Sequence, residues 1–115
     1  DFYPANIDDS FDAHSDAEYG NGQERGDWRR GQISAFLQGL YKAIKAQRSS
    51  VTLGVSVSGD VDAAYIEQFS EAQAWLGANG YADYIMPQLS WDFSYTSAGA
   101  SDALSVEKLS APWAG

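Results

Sequence analysis

Between residues 28 and 47 the apolar positions are Trp28, Ile33, Phe36, Leu37, Leu40, Tyr41 and Ile44. They form one stripe at the 3.6-residue period and predict a helix over 28–47. Asp27 stands where a carboxylate can accept from the first free N–H groups, and Lys45 and Arg48 stand where cations suit the helix dipole. Gly39 interrupts the pattern and predicts a close approach by another element. Residues 51–58 switch to period two. Val51, Leu53, Val55 and Val57 share one face, and Thr52, Gly54, Ser56 and Ser58 share the other. That is a strand whose branched face suits helices above it, while its small polar face suits a crowded interior or a site. A second helix is predicted over 62–78, with Tyr65, Ile66, Phe69, Ala72, Trp75 and Leu76 on one side. Asp60 or Asp62 can cap its start, and Gly77 and Gly80 bracket its end. Residues 83–91 alternate again, Ile85, Pro87, Leu89 and Trp91 against Tyr84, Met86, Gln88 and Ser90. Pro87 cannot donate to a ladder, so an edge or a distorted strand end is expected. Residues 94–103 read as loop and 104–109 as the start of a further helix. Residues 1–27 show neither period and read as one long loop.

Strands separated by helices of this length build parallel βα units, and parallel sheets are normally covered on both faces. Two strands make a very small sheet of that kind. The pattern therefore predicts an incomplete segment of a larger α/β sheet or barrel. At 115 residues the chain is too short for a whole eight-stranded barrel, which takes about 200 residues or more. The opening Asp1-Phe2-Tyr3-Pro4 reads as the interior of something longer, so the lack of a leader carries no information.

The formal net charge is -9 and there is no cysteine. Without cysteine there is no disulfide framework and no thiolate metal site. Acid excess argues against nucleic acid and against anionic membrane surfaces, and no apolar run is long enough to span a bilayer. The charge is segregated: residues 1–27 hold eight acids and one base, residues 28–59 five bases and no acid, and residues 60–115 eight acids and one base. Aromatic residues reach 14%. Acids together with Trp and Tyr suit neutral polyol ligands.

Three stretches together resemble one family. They are Asp1-Phe2-Tyr3-Pro4, Asp27-Trp28-Arg29-Arg30 at the helix start, and Tyr81-Ala82-Asp83-Tyr84-Ile85-Met86-Pro87-Gln88-Leu89-Ser90-Trp91-Asp92-Phe93. Leu40-Tyr41-Lys42-Ala43-Ile44-Lys45 and Leu53-Gly54-Val55-Ser56 lie between them. The set resembles the bacterial glycoside-hydrolase-like family ten group over roughly residues 1–93. The resemblance implies a (β/α)8 TIM barrel, with Asp1 to Pro4 after barrel strand four, 51–58 as strand five and 83–91 as strand six. It implies a glycosidase, secreted or in the cell envelope, with cell-wall glycan as one substrate class. No cofactor is expected. The partners it implies are a carbohydrate substrate and the missing barrel segments, or another chain completing the sheet. There are departures. The family's paired acids before Tyr-Pro are reduced here to Asp1, and its Ser-Pro-Phe-Gly followed by Ile-Trp is replaced by Ser56-Val57-Ser58-Gly59-Asp60-Val61.

Glycoside hydrolysis usually takes two carboxyl groups, about 5–5.5 Å apart for retention and ~6.5–9.5 Å for inversion. On the barrel template Asp1, Asp60 and Asp92 all fall just past strand ends, where such groups sit. Asp1 and Asp92 are the candidate catalytic carboxylates, while Asp60 is better placed as a helix cap. Gln88 and Ser56, on inward-facing positions, suit hydrogen bonds to sugar hydroxyls. Tyr3 can reach the site from its loop, and Trp91 can serve as a sugar platform unless strand alternation turns it outward. Asp8-x-Ser10-x-Asp12 has the opening spacing of a calcium loop, but Ala13 and Tyr19 stand where that loop needs Gly and Glu, so no metal is expected. His14 is the sole histidine, which leaves nucleophilic triads without support. Arg29 and Arg30 are read as surface residues, one of them free to pair with a loop acid. The 115-residue chain is expected to be inactive in isolation. The other readings left open are a non-catalytic glycan-binding domain and a small α/β module that oligomerises through its exposed sheet edges.

Overall fold

The structure, a computed structural model, describes residues 8–89. Its elements in chain order are helix α1 (Ala13–Tyr19), helix α2 (Arg25–Gln47), strand β1 (Gly54–Ser58), helices α3 (Val61–Glu67) and α4 (Ala72–Gly77), and strand β2 (Tyr84–Gln88). The strands pair in parallel, with Gly54 opposite Tyr84, Ser56 opposite Met86 and Ser58 opposite Gln88. The two expected strands and their parallel relation are thus present, in an α/β unit with four helices among the described residues. The expectations for residues 94–109 lie outside them.

Alternation sets the layers. Val55 and Val57 are buried with Ile33 and Leu37 of α2 and with Phe69, Ala72 and Trp75. Leu53, Tyr81, Ala82 and Ile85 pack against that cluster. The opposite face, carrying Ser56, Tyr84, Met86 and Gln88, is open. Pro87 fits its strand because its nitrogen is not needed by β1, and β2 is an edge among the described residues.

Four expectations need correction. The segment 1–27, read as loop, contains α1. No residue of that helix is buried, so it shows no apolar stripe from which periodicity can detect it. The long helix begins at Arg25, capped by Glu24, whose side chain accepts from the Asp27 N–H; Asp27 itself pairs with Arg30. The expected helix 62–78 is broken in two. Phe69 takes a left-handed conformation (φ 55°) and the Ser70 N–H turns back to the Ala64 carbonyl at 2.9 Å. A left-handed turn costs a non-glycine residue about 1–2 kcal/mol, so tertiary contacts must hold Phe69 there. Gly39, expected to admit a close neighbour, has open space around it among the described residues.

Asp83 ties the starts of both strands to the end of α2. Its backbone N–H donates to the Leu53 carbonyl at 2.8 Å, and its carboxylate accepts from the Leu53 N–H at 2.7 Å. Lys45 Nζ stands 2.9 Å from Asp83 Oδ2, and the Tyr41 hydroxyl donates to Oδ1 at 3.2 Å. The Leu53 N–H first, then Lys45, hold the Asp83 carboxyl below its ordinary value of 3.8. A depressed native pKa contributes stability above the unfolded value, and that stability is lost as pH falls through the native one. Asp83→Asn is therefore expected to lower the melting temperature near neutral pH. The gap from the natural chain should close as pH falls below about 4, as thermal melts on the acid side will show.

Candidate functional site

The polarity of the fold locates the rim at the C-terminal ends of the strands. Because residues 41–45 of α2 sit at the strand starts, its first turns point toward the strand C-terminal ends. Sixteen residues of helix from Lys45 back to Arg29 span about 24 Å, whereas Leu53 to Ser58 covers about 17 Å. Arg29 therefore stands level with, or just beyond, the ends of β1 and β2.

On the open face near that end, Gln88 Nε2 donates to Ser56 Oγ at 3.1 Å. Both side chains are exposed, with the half-buried Ser58 beside Gln88 in register. This is the polar face that alternation predicted, and it brings together two of the six candidate site residues. The other four, Asp1, Tyr3, Trp91 and Asp92, lie outside the described residues. Asp60 is occupied as a cap: its Oδ1 accepts from the N–H groups of Asp62 and Ala63 at 3.0 and 3.1 Å. Gly59 lets the strand ends approach. A Cβ there would lie 2.5 Å from the Gln88 carbonyl oxygen and against the Leu89 side chain. Gly59→Ala is expected to push these backbones apart at a cost of about 1–3 kcal/mol, read as a lower urea midpoint with loss of order at Gln88.

The rim is electrostatic. Arg25 and Arg29, one helical turn apart on α2, grip the preceding acidic segment. Arg25 Nε donates to Asp16 Oδ2 at 3.0 Å and its Nη1 to the Asp9 carbonyl at 2.6 Å. Arg29 meets Asp12 with both arms of its fork, Nε to Oδ2 at 2.8 Å and Nη2 to Oδ1 at 2.5 Å. It also reaches Asp9 Oδ1 at 3.2 Å. Arg30 donates to the Tyr65 carbonyl at 3.0 Å and to Asp27 at 2.9 Å, and its guanidinium lies 4.2 Å from the centre of the Tyr65 ring. Asp16, first through its hydrogen bond, raises the Arg25 pKa, so that cation stays charged. At the outer edge, the Ser10 hydroxyl and N–H lower the Asp8 pKa.

Reading Arg29 and Arg30 as surface residues is thus corrected: they are 3% and 9% exposed. Of the acids that gave the calcium-like spacing, Asp12 is held by Arg29 and Asp8 accepts from Ser10. Among the described residues no three His, Asp or Glu side chains gather to hold a metal ion. The charge segregation along the chain carried a signal for this. Acids in residues 1–27 and the arginines that follow them are complementary, and Arg25 and Arg29 have the i, i+4 spacing of one helix face.

Two parallel strands with helices packed on one face define the broad class: an α/β protein built of βα units. Comparison with known families narrows this. The family model for glycosyl hydrolase-like 10 matches residues 4–111, and the chain belongs to that family. It is similar to the proteins named glycosyl hydrolase DigH in Escherichia coli strain K12 and in Shigella flexneri, at 31% identity over 88 residues, or 64% of this chain, in each case. The chain spans about one-fifth (20%) of the length of these curated relatives.

Proposed function

We propose that this chain is the central portion of a (β/α)8 glycoside hydrolase that cleaves a polysaccharide, with bacterial cell-wall glycan as its substrate class. The observation that carries the architectural part is the apolar surface left uncovered on both flanks. Beside the edge of β1 that no other described strand pairs, Leu40 and Val51 are open, at 37% and 41% exposure. Beyond α3 and α4, Ile66 is 66% exposed and Leu76 is open too. Tyr84 and Met86 are uncovered on the sheet face that a parallel sheet normally buries. Further βα units on either side, closing the open face into a barrel interior, account for all three surfaces. Family membership supports the glycosidase part.

In this reading the reaction runs at the strand C-terminal ends. One carboxyl protonates the glycosidic oxygen as its bond to the anomeric carbon breaks. The other, on the opposite side of the bond, stabilises or attacks the developing oxocarbenium centre, or activates water there. Asp1 and Asp92 take these roles. Ser56 and Gln88 hold sugar hydroxyls, while Tyr3 and Trp91 offer ring faces to sugar C–H groups. Their mutual bond keeps the Ser56 hydroxyl and Gln88 amide oriented on the open face while leaving each with further hydrogen-bonding capacity. The enzyme acts outside the cytoplasm, in the envelope or beyond it, where such glycan lies.

The test is incubation of the full-length protein with purified bacterial cell-wall glycan, measuring new reducing ends in the soluble fraction. Time-dependent release supports hydrolysis. Sedimentation with the glycan and no new reducing ends replaces the enzyme by a glycan-binding domain. Neither binding nor release removes this substrate class.

A further inference from the structure

Arg29 touches two segments that are far apart in sequence and both lie at the rim. On one side its fork holds Asp12 and its Nη2 also donates to the Asp9 carbonyl at 3.1 Å. On the other side its guanidinium lies 4.9 Å from the centre of the Phe69 ring, at the break between α3 and α4. The arrangement is dry: the side chains of Arg29 and Asp12 are 4% and 10% exposed, and Phe69 is buried. Phe69 is also the bulky residue held in a left-handed conformation, φ 55°. A planar guanidinium can bind a carboxylate edge-on and an aromatic ring face-on at once, which a lysine ammonium cannot reproduce.

We propose that Arg29 is a positioning residue that couples the acidic segment 8–20 to the α3–α4 break, so that the two order and loosen together. Each contact fixes the plane of the guanidinium that the other requires. With Asp12 in place, the flat face is presented to Phe69, and the ring's attraction helps hold the unfavourable backbone at that residue. With Phe69 in place, the fork is kept in the orientation that meets Asp12 and Asp9. A ligand seated against either segment thereby acts on the order of both. The coupling is argued from these contacts and holds whether or not the protein cleaves glycan.

The experiment is backbone hydrogen exchange on the full-length protein and on Asp12→Asn and Phe69→Leu. Each substitution is mild, and each lies in one segment. Asp12→Asn is expected to speed exchange at residues 69–71 by about fivefold or more, and Phe69→Leu to do the same at residues 9–16. Amides of Val55 and Val57 in β1 should keep their protection. In an Arg29→Lys background, which retains the charge but loses the fork, both segments should already be loose. Adding either second substitution should then leave the remote segment unchanged. Faster exchange confined to the substituted segment would overturn the coupling. So would an equal rise at Val55 and Val57, which would make these contacts general stabilisers of the fold.

Discussion

Asp92→Asn and Asp1→Asn, made separately in the full-length protein, are each expected to lower kcat/KM on cell-wall glycan by on the order of 10²–10⁴-fold. Asparagine keeps the size and one acceptor oxygen of aspartate but cannot hold or transfer the proton. A group acting in the transition state therefore loses kcat, with KM little changed. A carboxylate that merely contacts a sugar hydroxyl would do the reverse, raising KM while sparing kcat. The position of Asp92 motivates the choice. It stands four residues beyond Gln88, where β2 ends, and groups at strand C-terminal ends carry the chemistry of βα barrels. Asp60, which also follows a strand, serves as the control. Its carboxylate is engaged by the first turn of α3, so Asp60→Asn should leave kcat nearly unchanged. Steady-state kinetics on the three variants separates these roles, and full activity in both Asp1→Asn and Asp92→Asn would remove them from the mechanism.

Trp75→Ala is expected to destabilise the fold by about 3–5 kcal/mol. Trp75 is 1% exposed and stands in the core with Leu37, Val55 and Val57. Truncation removes the largest side chain of that core and leaves a cavity that the paired strands cannot readily collapse into. It also strips a polar chain of its first member: the indole N–H donates to Ser34 Oγ at 2.8 Å, and that hydroxyl donates to Glu71 Oε2 at 2.8 Å. Trp75→Phe keeps an aromatic ring and most of the volume but gives up the second ring of the indole with its N–H, so it should cost clearly less than the alanine variant. Urea unfolding of both variants, with an unchanged slope and a lowered midpoint, measures the difference. Since whole domains are stable by only about 5–15 kcal/mol, the alanine variant should be substantially unfolded under conditions where the phenylalanine variant is native.

Much of the architecture was legible along the chain because it rests on local periodicity. Val55 and Val57 alternate with Ser56 and Ser58 whatever else surrounds them, and the same holds for Ile85 and Pro87 against Met86 and Gln88. The helix ending at Gln47 announced itself through Ile33 and Leu37. Ser56 and Gln88 could be placed on one face for the same reason, and the structure joins them by a hydrogen bond. Leu40 belongs to the same apolar stripe as Leu37, yet it stays 37% exposed. Periodicity records which face is apolar and says nothing about what covers it.

The sequence by itself therefore determined the α/β class, the two strands and their facing, the long helix and the cap at Asp60, since each follows from neighbours a few residues away. Only the tertiary structure decided the rest. It buried Arg29 between Asp12, 17 residues back, and the ring of Phe69. It broke the helix at Phe69, where the apolar stripe ran on unbroken. It turned Asp83 into the tie between strand starts through Leu53, 30 residues away. Burying a charge is unfavourable until its partners arrive, and a left-handed phenylalanine is unfavourable until something holds it. Such features are settled by distant contacts that no local pattern encodes.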